Sequence, residues 1–148
     1  SGKIVSAFDM ARALALGADW CNSARGFMFA LGCIQAQTCH SGNCPTGVTT
    51  QDPTRQMALV VPSKAERVHN FHAHTLEALQ ELMEASGLQT PHDFTPRHIM
   101  RRVSETQTLH LSELVDTLEA GTLLTGDVSA LPPVFSDWPS TNAKSFAI

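Results

Sequence analysis

Three of the four cysteines lie close together in a segment that has no apolar period. They follow the spacing Cys33-x5-Cys39-x4-Cys44, and Pro45 comes directly after the third. Residues 33–54 are dominated by Cys, Gly, Pro, Thr, Gln and His, so we expect a structured loop that no hydrophobic core stabilises. Cysteines in such a loop are candidates for a bound metal or for disulfide bonds.

Four interpretations of these cysteines are open. A zinc site, with His40 as its fourth ligand, usually has closer pairs of cysteines. A disulfide framework is typical of smaller secreted chains, and this N-terminus lacks the features of a signal peptide. Inert buried thiols need apolar surroundings, which Cys39 and Cys44 lack. An iron–sulfur cluster suits soft thiolates and a closing Cys-Pro, and three cysteines suit a three-iron cluster or a four-iron cluster with one open iron.

Residues 1–32 have the pattern of two strand–helix units. Ser6 is expected to begin the first helix and Gly17 to end it, while Ser23 is expected to cap a second helix that Gly32 ends. A helix between two strands implies a parallel sheet, because antiparallel strands need no helix between them. The expected extended segments are residues 4–5 and 18–22, and the second helix is expected over residues 24–31. Cys21, which alternates with apolar neighbours, is expected to be a packed core thiol.

The chain after the cysteine loop is expected to be helical and then irregular. Ser63 and Glu66 form a capping box ahead of a long amphipathic helix that Gly87 ends. Shorter helices are predicted over residues 96–103 and 111–118. We therefore divide the chain into residues 1–32, 33–54, 55–120 and 121–148, the last being an irregular tail.

The sequence also resembles a known family. Residues 1–25 carry three blocks, SGKIVSAFD, ALALGAD and NSAR, that resemble the last two strand–helix units of FMN-dependent (β/α)8 barrels. Residues 32–53 carry GCIQ, CH and CPTGVTTQDP, which are similar to the synthase domain of the glutamate synthase family, including its shorter FMN-binding members. The resemblance implies an α/β fold: two barrel units, an iron–sulfur loop and a C-terminal helical region. A whole barrel needs about 250 residues, so a chain of 148 residues is expected to be a C-terminal segment and mainly helical in isolation.

The resemblance implies two cofactor sites. In such barrels the FMN phosphate lies in the loops after strands 7 and 8. Lys3 and Ala24 stand where the family commonly has glycine, so the backbone must approach the phosphate despite a side chain at each position. The implied FMN-binding residues are Ser1, Gly2, Lys3, Ser23, Ala24 and Arg25. The implied ligands of a [3Fe-4S] cluster are Cys33, Cys39 and Cys44.

The family's reaction is the reductive amination of 2-oxoglutarate to glutamate by reduced FMN, with electrons relayed through the cluster. The implied partners are 2-oxoglutarate, ammonia or glutamine, and an electron-donor protein or subunit that is ferredoxin or NADPH-linked. The substrate-binding strands come earlier in such barrels, so no catalytic residue is assigned and the isolated segment is expected to be inactive. The alternative is a non-catalytic module that holds an iron–sulfur cluster or zinc and docks through its helices to another chain.

Composition and charge exclude several classes of partner. The formal net charge is −4, without the clustered basic surface of a nucleic-acid-binding protein. No apolar run approaches the ~18 residues of a membrane-spanning helix, so we expect no membrane insertion by this segment and a cytoplasmic location. A membrane anchor upstream of Ser1 stays compatible with the sequence. Two short strands would leave open edges, which favours pairing with upstream strands or with another copy of the segment.

Overall fold

The computed structural model describes residues 2–124, 131–138 and 142–144. The chain divides into two compact units, Ser1–His98 and Ile99–Ile148. The described residues are mostly helical with one small two-stranded sheet, as the prediction of a mainly helical chain requires. Among them, no helix combines the length and the apolar character that crossing a bilayer demands.

The first helix, α1, runs from Ala7 to Ala15 and confirms the predicted start and stop. The Ser6 hydroxyl accepts a hydrogen bond from the Asp9 backbone N–H (3.2 Å), and the Asp9 carboxylate accepts one from the Ser6 N–H (3.0 Å). This reciprocal capping satisfies donors that the helix leaves unpaired. Gly17 follows the helix at φ +92°, a left-handed conformation that favours glycine.

The second helix, α2, runs from Arg25 to Leu31, and Gly32 ends it at φ +107° as predicted. The predicted cap is wrong, because Ala24 occupies the capping position and makes no side-chain hydrogen bond. The Ser23 hydroxyl instead donates to the backbone carbonyl of Ile4 (2.8 Å). Ser23 therefore connects the two segments that precede the helices.

Those two segments, residues 4–5 and 18–22, were predicted to be strands. Neither has strand structure, and the sheet of the described residues contains only two other segments. A strand exists only through hydrogen bonds to a neighbouring strand, and two such short segments offer each other few of them. Of the predicted strand–helix–strand–helix order, only the two helices are therefore present. Ile4, in the first predicted strand, is nevertheless buried.

Two helices follow the cysteine loop. The short α3, Pro53–Gln56, begins where the Asp52 carboxylate accepts a hydrogen bond from the Thr54 N–H (2.9 Å). The long α4 runs from Val61 to Ala85, so it begins ahead of the predicted Ser63 cap. Pro62 explains the earlier start, because proline is well suited to the first helical turn.

The core of the first unit lies where α4 packs against α1 and α2. The rings of Phe27 and Phe71 meet edge to face, with centroids 5.2 Å apart. Gly26 makes this approach possible, since a Cβ there would lie 2.8 Å from Phe71 Cζ and 2.6 Å from Ser23 Oγ. The buried apolar residues of the unit are Ile4, Ala7, Ala11, Leu14, Ala15, Ala30, Leu79 and Phe94.

The second unit contains an antiparallel hairpin of β1, Met100–Arg102, and β2, Thr108–His110. The predicted helix over residues 96–103 is therefore wrong beyond a 3-10 turn at Pro96–His98. The Ser104 hydroxyl accepts hydrogen bonds from the N–H groups of the hairpin loop, which favours a turn at this point.

The predicted helix over residues 111–118 is reduced to a 3-10 turn, Leu111–Glu113. The N–H of Leu111 donates to the Ile99 carbonyl (2.8 Å), which ties this turn to the hairpin. The tail is irregular where it is described, with 3-10 turns at Thr122–Leu124 and Pro133–Phe135. The rest of the predicted tail lies outside the described residues.

Candidate functional site

A cavity of about 370 Å³ lies beside α2 and brings together residues from both predicted cofactor sites. Ala24 and Arg25, at the start of α2, line it together with Cys33 and Cys39 from the loop that follows the helix. The remaining lining residues are Met28, Phe29, Gln35 and Gln37. Helix α2 and the loop that follows it therefore bring the predicted phosphate-binding arginine and two of the three predicted cluster ligands to one cavity.

Arg25 is exposed and makes no ion pair with any residue that the structure describes. It is the first residue of α2, where the helix dipole is unfavourable for a positive charge. Its guanidinium can donate two parallel hydrogen bonds to a phosphate or carboxylate. The position therefore favours an anion as the missing partner.

Lys3 has a backbone conformation that is unusual for a residue with a side chain. Its φ is +60°, in the left-handed region that glycine adopts most easily. The family resemblance predicts a glycine at this place, and the chain keeps a glycine-like backbone there although the residue is lysine. Gly2 is exposed with open space where a side chain would project, while Ser1 lies outside the described residues.

Ser23 is not brought to the cavity beside Arg25. Its hydroxyl donates to Ile4, and it lines a separate cavity of about 180 Å³ together with Cys21. Cys21 is half-buried there rather than in the core.

The three loop cysteines have different surroundings. Cys33 follows Gly32 directly, and its N–H donates to the Met28 carbonyl (3.0 Å), so the end of α2 fixes its backbone. Cys39 is exposed at the start of a 3-10 turn, Cys39–Ser41, and Cys44 is half-buried. All four cysteines of the chain are free thiols, so the disulfide interpretation finds no support.

Cys44 lies among hydrogen-bonding groups of the residues that follow it. Its Sγ lies 3.4 Å from the Thr46 hydroxyl. Hydrogen bonds from the Thr46 hydroxyl, and then from the backbone N–H groups of Thr49 and Thr46, stabilise the thiolate and lower the pKa of Cys44 to about 6. The Thr49 hydroxyl oxygen is buried beside this thiol, and its hydrogen bond makes a smaller contribution to the lowered pKa of Cys44.

The loop is held by hydrogen bonds rather than by apolar packing. The Arg55 guanidinium donates to the Asn43 carbonyl (3.0 Å), and the Gln56 amide donates to the Thr50 carbonyl (2.9 Å). Gln35 and Gln37, which line the cavity beside α2, have φ values of +58° and +57°. Left-handed backbone at residues other than glycine is concentrated at functional sites, because it persists only where the surroundings impose it.

Gly47 is a residue of this loop that the sequence interpretation missed. Its φ is +78°, and a Cβ there would collide with the Arg55 carbonyl oxygen. Both facts require glycine at this position. The signal was present in the sequence, because Gly47 lies within a run of turn-forming residues shortly before the Asp52-Pro53 helix start.

The thiols do not converge on a single point. No three Cys, His, Asp or Glu side chains among the described residues are close enough to hold one metal ion. This arrangement does not favour the zinc site with His40, in which four ligands surround one ion. A three-iron cluster makes a different demand, because each thiolate binds a different iron. The set of three free thiols fits such a cluster in its chemistry.

A conserved region in glutamate synthase matches residues 1–89, which is more than half of the chain. The chain belongs to the glutamate synthase family. The matched region contains α1, α2, α4 and the whole cysteine loop. It therefore includes both predicted cofactor sites of this segment.

Three relatives illustrate the similarity. A glutamate synthase large subunit-like protein, YerD, of Bacillus subtilis is 42% identical over 78% of this chain and 22% of its own length. An archaeal-type NADPH glutamate synthase of Thermotoga neapolitana is 33% identical over 60% of this chain and 17% of its own. A ferredoxin-dependent glutamate synthase of Synechocystis is 32% identical over 78% of this chain and 8% of its own. The chain thus spans about a fifth or less of these relatives, and no solved structure matches it.

Proposed function

We propose that this chain is the C-terminal part of the synthase domain of an oxidoreductase that makes glutamate from 2-oxoglutarate by reductive amination. The observation that carries the proposal is the single cavity lined by Arg25, Ala24, Cys33 and Cys39. Membership of the glutamate synthase family supports the reaction class. The same proposal includes a full barrel, of which residues 1–32 would be the last two strand–helix units. It also includes the division of the remaining chain into a cluster loop (residues 33–54), C-terminal helices (residues 55–120) and a tail (residues 121–148).

The first role of this segment is to bind the FMN phosphate. Arg25 would pair with the phosphate oxygens, and the exposed backbone at Ala24 would approach them. Gly2 and Lys3 would contribute N–H groups, since the left-handed backbone at Lys3 keeps the shape of a glycine loop. Ser1 and Ser23 are assigned to the same site by family resemblance, and Ser23 would serve it by fixing the backbone at Ile4.

The second role is to hold an iron–sulfur cluster through Cys33, Cys39 and Cys44. When bound, the FMN supplies reducing equivalents to the substrate and the [3Fe-4S] cluster supplies an electron path to the flavin. The residues of this chain bind and position: Cys33 is fixed by the end of α2, and Thr46 stabilises the Cys44 thiolate. Because Cys33 and Cys39 share the cavity with Arg25, the two cofactors would be close neighbours.

The partners follow from the reaction and from the relatives. The substrates would be 2-oxoglutarate with ammonia or glutamine, and we assign no catalytic residue to this segment. Relatives named as NADPH and ferredoxin-dependent enzymes support a donor that is ferredoxin or an NADPH-linked protein or subunit. A cytoplasmic location suits such a reaction.

Anaerobic purification of the full-length protein tests the cluster. We expect iron and sulfide in the ratio of a three-iron cluster, loss of both in Cys39→Ser, and retention of both in the matched variant Cys21→Ser. Zinc in place of iron would contradict the proposal and would support the metal-binding docking module instead.

The phosphate site is tested by titrating the flavin-free protein with FMN. Removing a bidentate charged partner costs roughly 1.5–3 kcal/mol, so Arg25→Ala should weaken FMN binding by about tenfold or more. Arg12→Ala is the control, because Arg12 pairs with Asp9 (3.6 Å) and does not line the cavity. An unchanged affinity in Arg25→Ala would remove Arg25 from the site.

A further inference from the structure

Two cationic side chains of α4 converge on the end of α2. The Lys64 Nζ lies 3.1 Å from the position that a Cβ on Gly32 would occupy, and an Arg67 guanidinium nitrogen lies 3.8 Å from it. Residues three apart share one face of a helix, so Lys64 and Arg67 point the same way. Both charges therefore lie over the residue that directly precedes Cys33.

The packing of the two helices fixes this position. Gly26, near the start of α2, lies against Phe71, while Gly32, at its end, lies against Lys64. The helices therefore run antiparallel, and the contact of Phe71 with Phe27 sets their register. Because Lys64 comes two turns before Phe71 on α4, the register places its ammonium at the end of α2.

The two cations face a cavity bounded by the start and the middle of the cysteine loop. This cavity, of about 510 Å³, is lined by Cys33 at the start of the loop and by Pro45 and Thr46, which follow Cys44. Lys64 and Arg67 line its other side. The first predicted cluster ligand, Cys33, and the two residues that follow the third thus line a space that Lys64 and Arg67 also line.

Neither cation has an ion-pair partner among the residues that the structure describes. Lys64 is nevertheless half-buried, which is unfavourable for an unpaired charge. The Asp52 carboxylate at the end of the loop pairs instead with Arg55 (3.4 Å). The unpaired carbonyl groups at the end of α2 carry a partial negative charge that attracts these cations. No basic residue in the last turn of α2 competes for it. That partial charge offsets only part of the charge of Lys64, whereas Arg67 is exposed to water.

We propose that Lys64 and Arg67 supply the counter-charge of the iron–sulfur cluster and thereby raise its reduction potential. The inference rests on the proposed function, because it requires the cluster to be bound by Cys33, Cys39 and Cys44. Three thiolates make such a cluster anionic, and two nearby cations offset that charge. The reduction potential of a cluster depends on the net charge around it, so cations that line a cavity together with Cys33 make electron uptake more favourable.

The test is the midpoint potential of the cluster in the full-length protein, followed by electron paramagnetic resonance during a redox titration. Lys64→Met keeps the aliphatic stem and Arg67→Gln changes an exposed side chain. Each should shift the midpoint to more negative values, and the double variant should shift it further. Lys64→Arg retains the charge and should keep the wild-type potential. Arg12→Gln, which removes one positive charge elsewhere in the same unit, should also leave the potential unchanged.

The outcomes separate this inference from the proposed function. A wild-type protein without a cluster would overturn both. A full complement of iron and sulfide with unchanged potentials in Lys64→Met and Arg67→Gln would overturn the counter-charge role and leave the cluster site intact. Loss of the cluster in Lys64→Met with retention in Lys64→Arg would support a requirement for charge. Loss in both would indicate a packing role for Lys64 and overturn the inference for that residue.

Discussion

The helical part of the first unit and its cysteine loop are stabilised in different ways. The helices bury apolar side chains against one another, as Ala11 at 1% exposure and Leu79 at 6% illustrate. In residues 33–52 only Gly47 and Thr50 are buried, and hydrogen bonds from side chains to backbone carbonyls hold the turns.

This difference suggests that the helices provide a stable support and that the cysteine loop is the part proposed to bind a cofactor. Apolar packing resists local opening, while a loop held by exposed hydrogen bonds opens at a lower free energy. The helices can therefore position the loop, and the proposed cluster would require only the loop to bring its three thiols together. The four substitutions below test this division, from the largest expected effect to the smallest.

Leu79→Ala should destabilise the helices most. Removing a buried leucine side chain costs about 3 kcal/mol, because the loss of burial and the cavity left behind add together. The loss of stability should appear as faster amide hydrogen exchange in peptides from α4, measured in the full-length protein. Leu76→Ala is the matched control on the same helix, since Leu76 is 44% exposed and should lose much less protection. Equal effects of the two substitutions would contradict the assigned core.

Gly26→Ala should have the next largest effect, because the added Cβ meets the Phe71 ring and the Ser23 hydroxyl. Overpacking of this kind costs about 1–3 kcal/mol. The result to expect is faster exchange at both α2 and α4. A second substitution, Phe71→Leu, frees space opposite the new methyl group, so the double variant should be less destabilised than the sum of the single variants. Strict additivity would show that Gly26 and Phe71 do not constrain each other.

Ser6→Ala should destabilise α1 by about 1 kcal/mol through loss of its N-cap. The backbone hydrogen bond from Ser6, above all, lowers the pKa of its partner Asp9. A carboxyl group whose pKa is lowered on folding contributes stability above its ordinary pKa of about 4, and this contribution disappears as the pH falls through the folded value. Protection of α1 should therefore decrease below about pH 4 in the wild type and less steeply in Asp9→Asn. Identical pH profiles would exclude this capping contribution.

Arg55→Gln should have the smallest effect and should confine it to the loop. It removes a hydrogen bond to the Asn43 carbonyl and an exposed ion pair with Asp52, which together contribute less than about 1 kcal/mol at an exposed site. Limited proteolysis should cut residues 33–52 faster while exchange in α4 is unchanged. If α4 also lost protection, the loop and the helices would form one cooperative unit, and the division between them would fail.

The sequence predicted elements where local chemistry decides the conformation. Ser6 and Asp9 form a capping box from their own side chains, and Gly17, Gly32 and Gly87 adopt left-handed backbone after the helices they end. Predictions failed where the deciding partner lies elsewhere in the chain. Ser23 has the composition of a cap but donates to Ile4, 19 residues away, and residues 100–102 pair with residues 108–110 rather than continue a helix.

The sequence by itself determined the three-cysteine spacing and the family to which the chain belongs, and it predicted the residues of a phosphate site. Only the tertiary structure decided that Arg25 and two of the cysteines line one cavity, and that Lys64 and Arg67 lie over Gly32. The physical reason is that spacing fixes neighbours along one helix or loop, whereas the antiparallel packing of α2 on α4 depends on the absent side chain of Gly26 and the shape of Phe71.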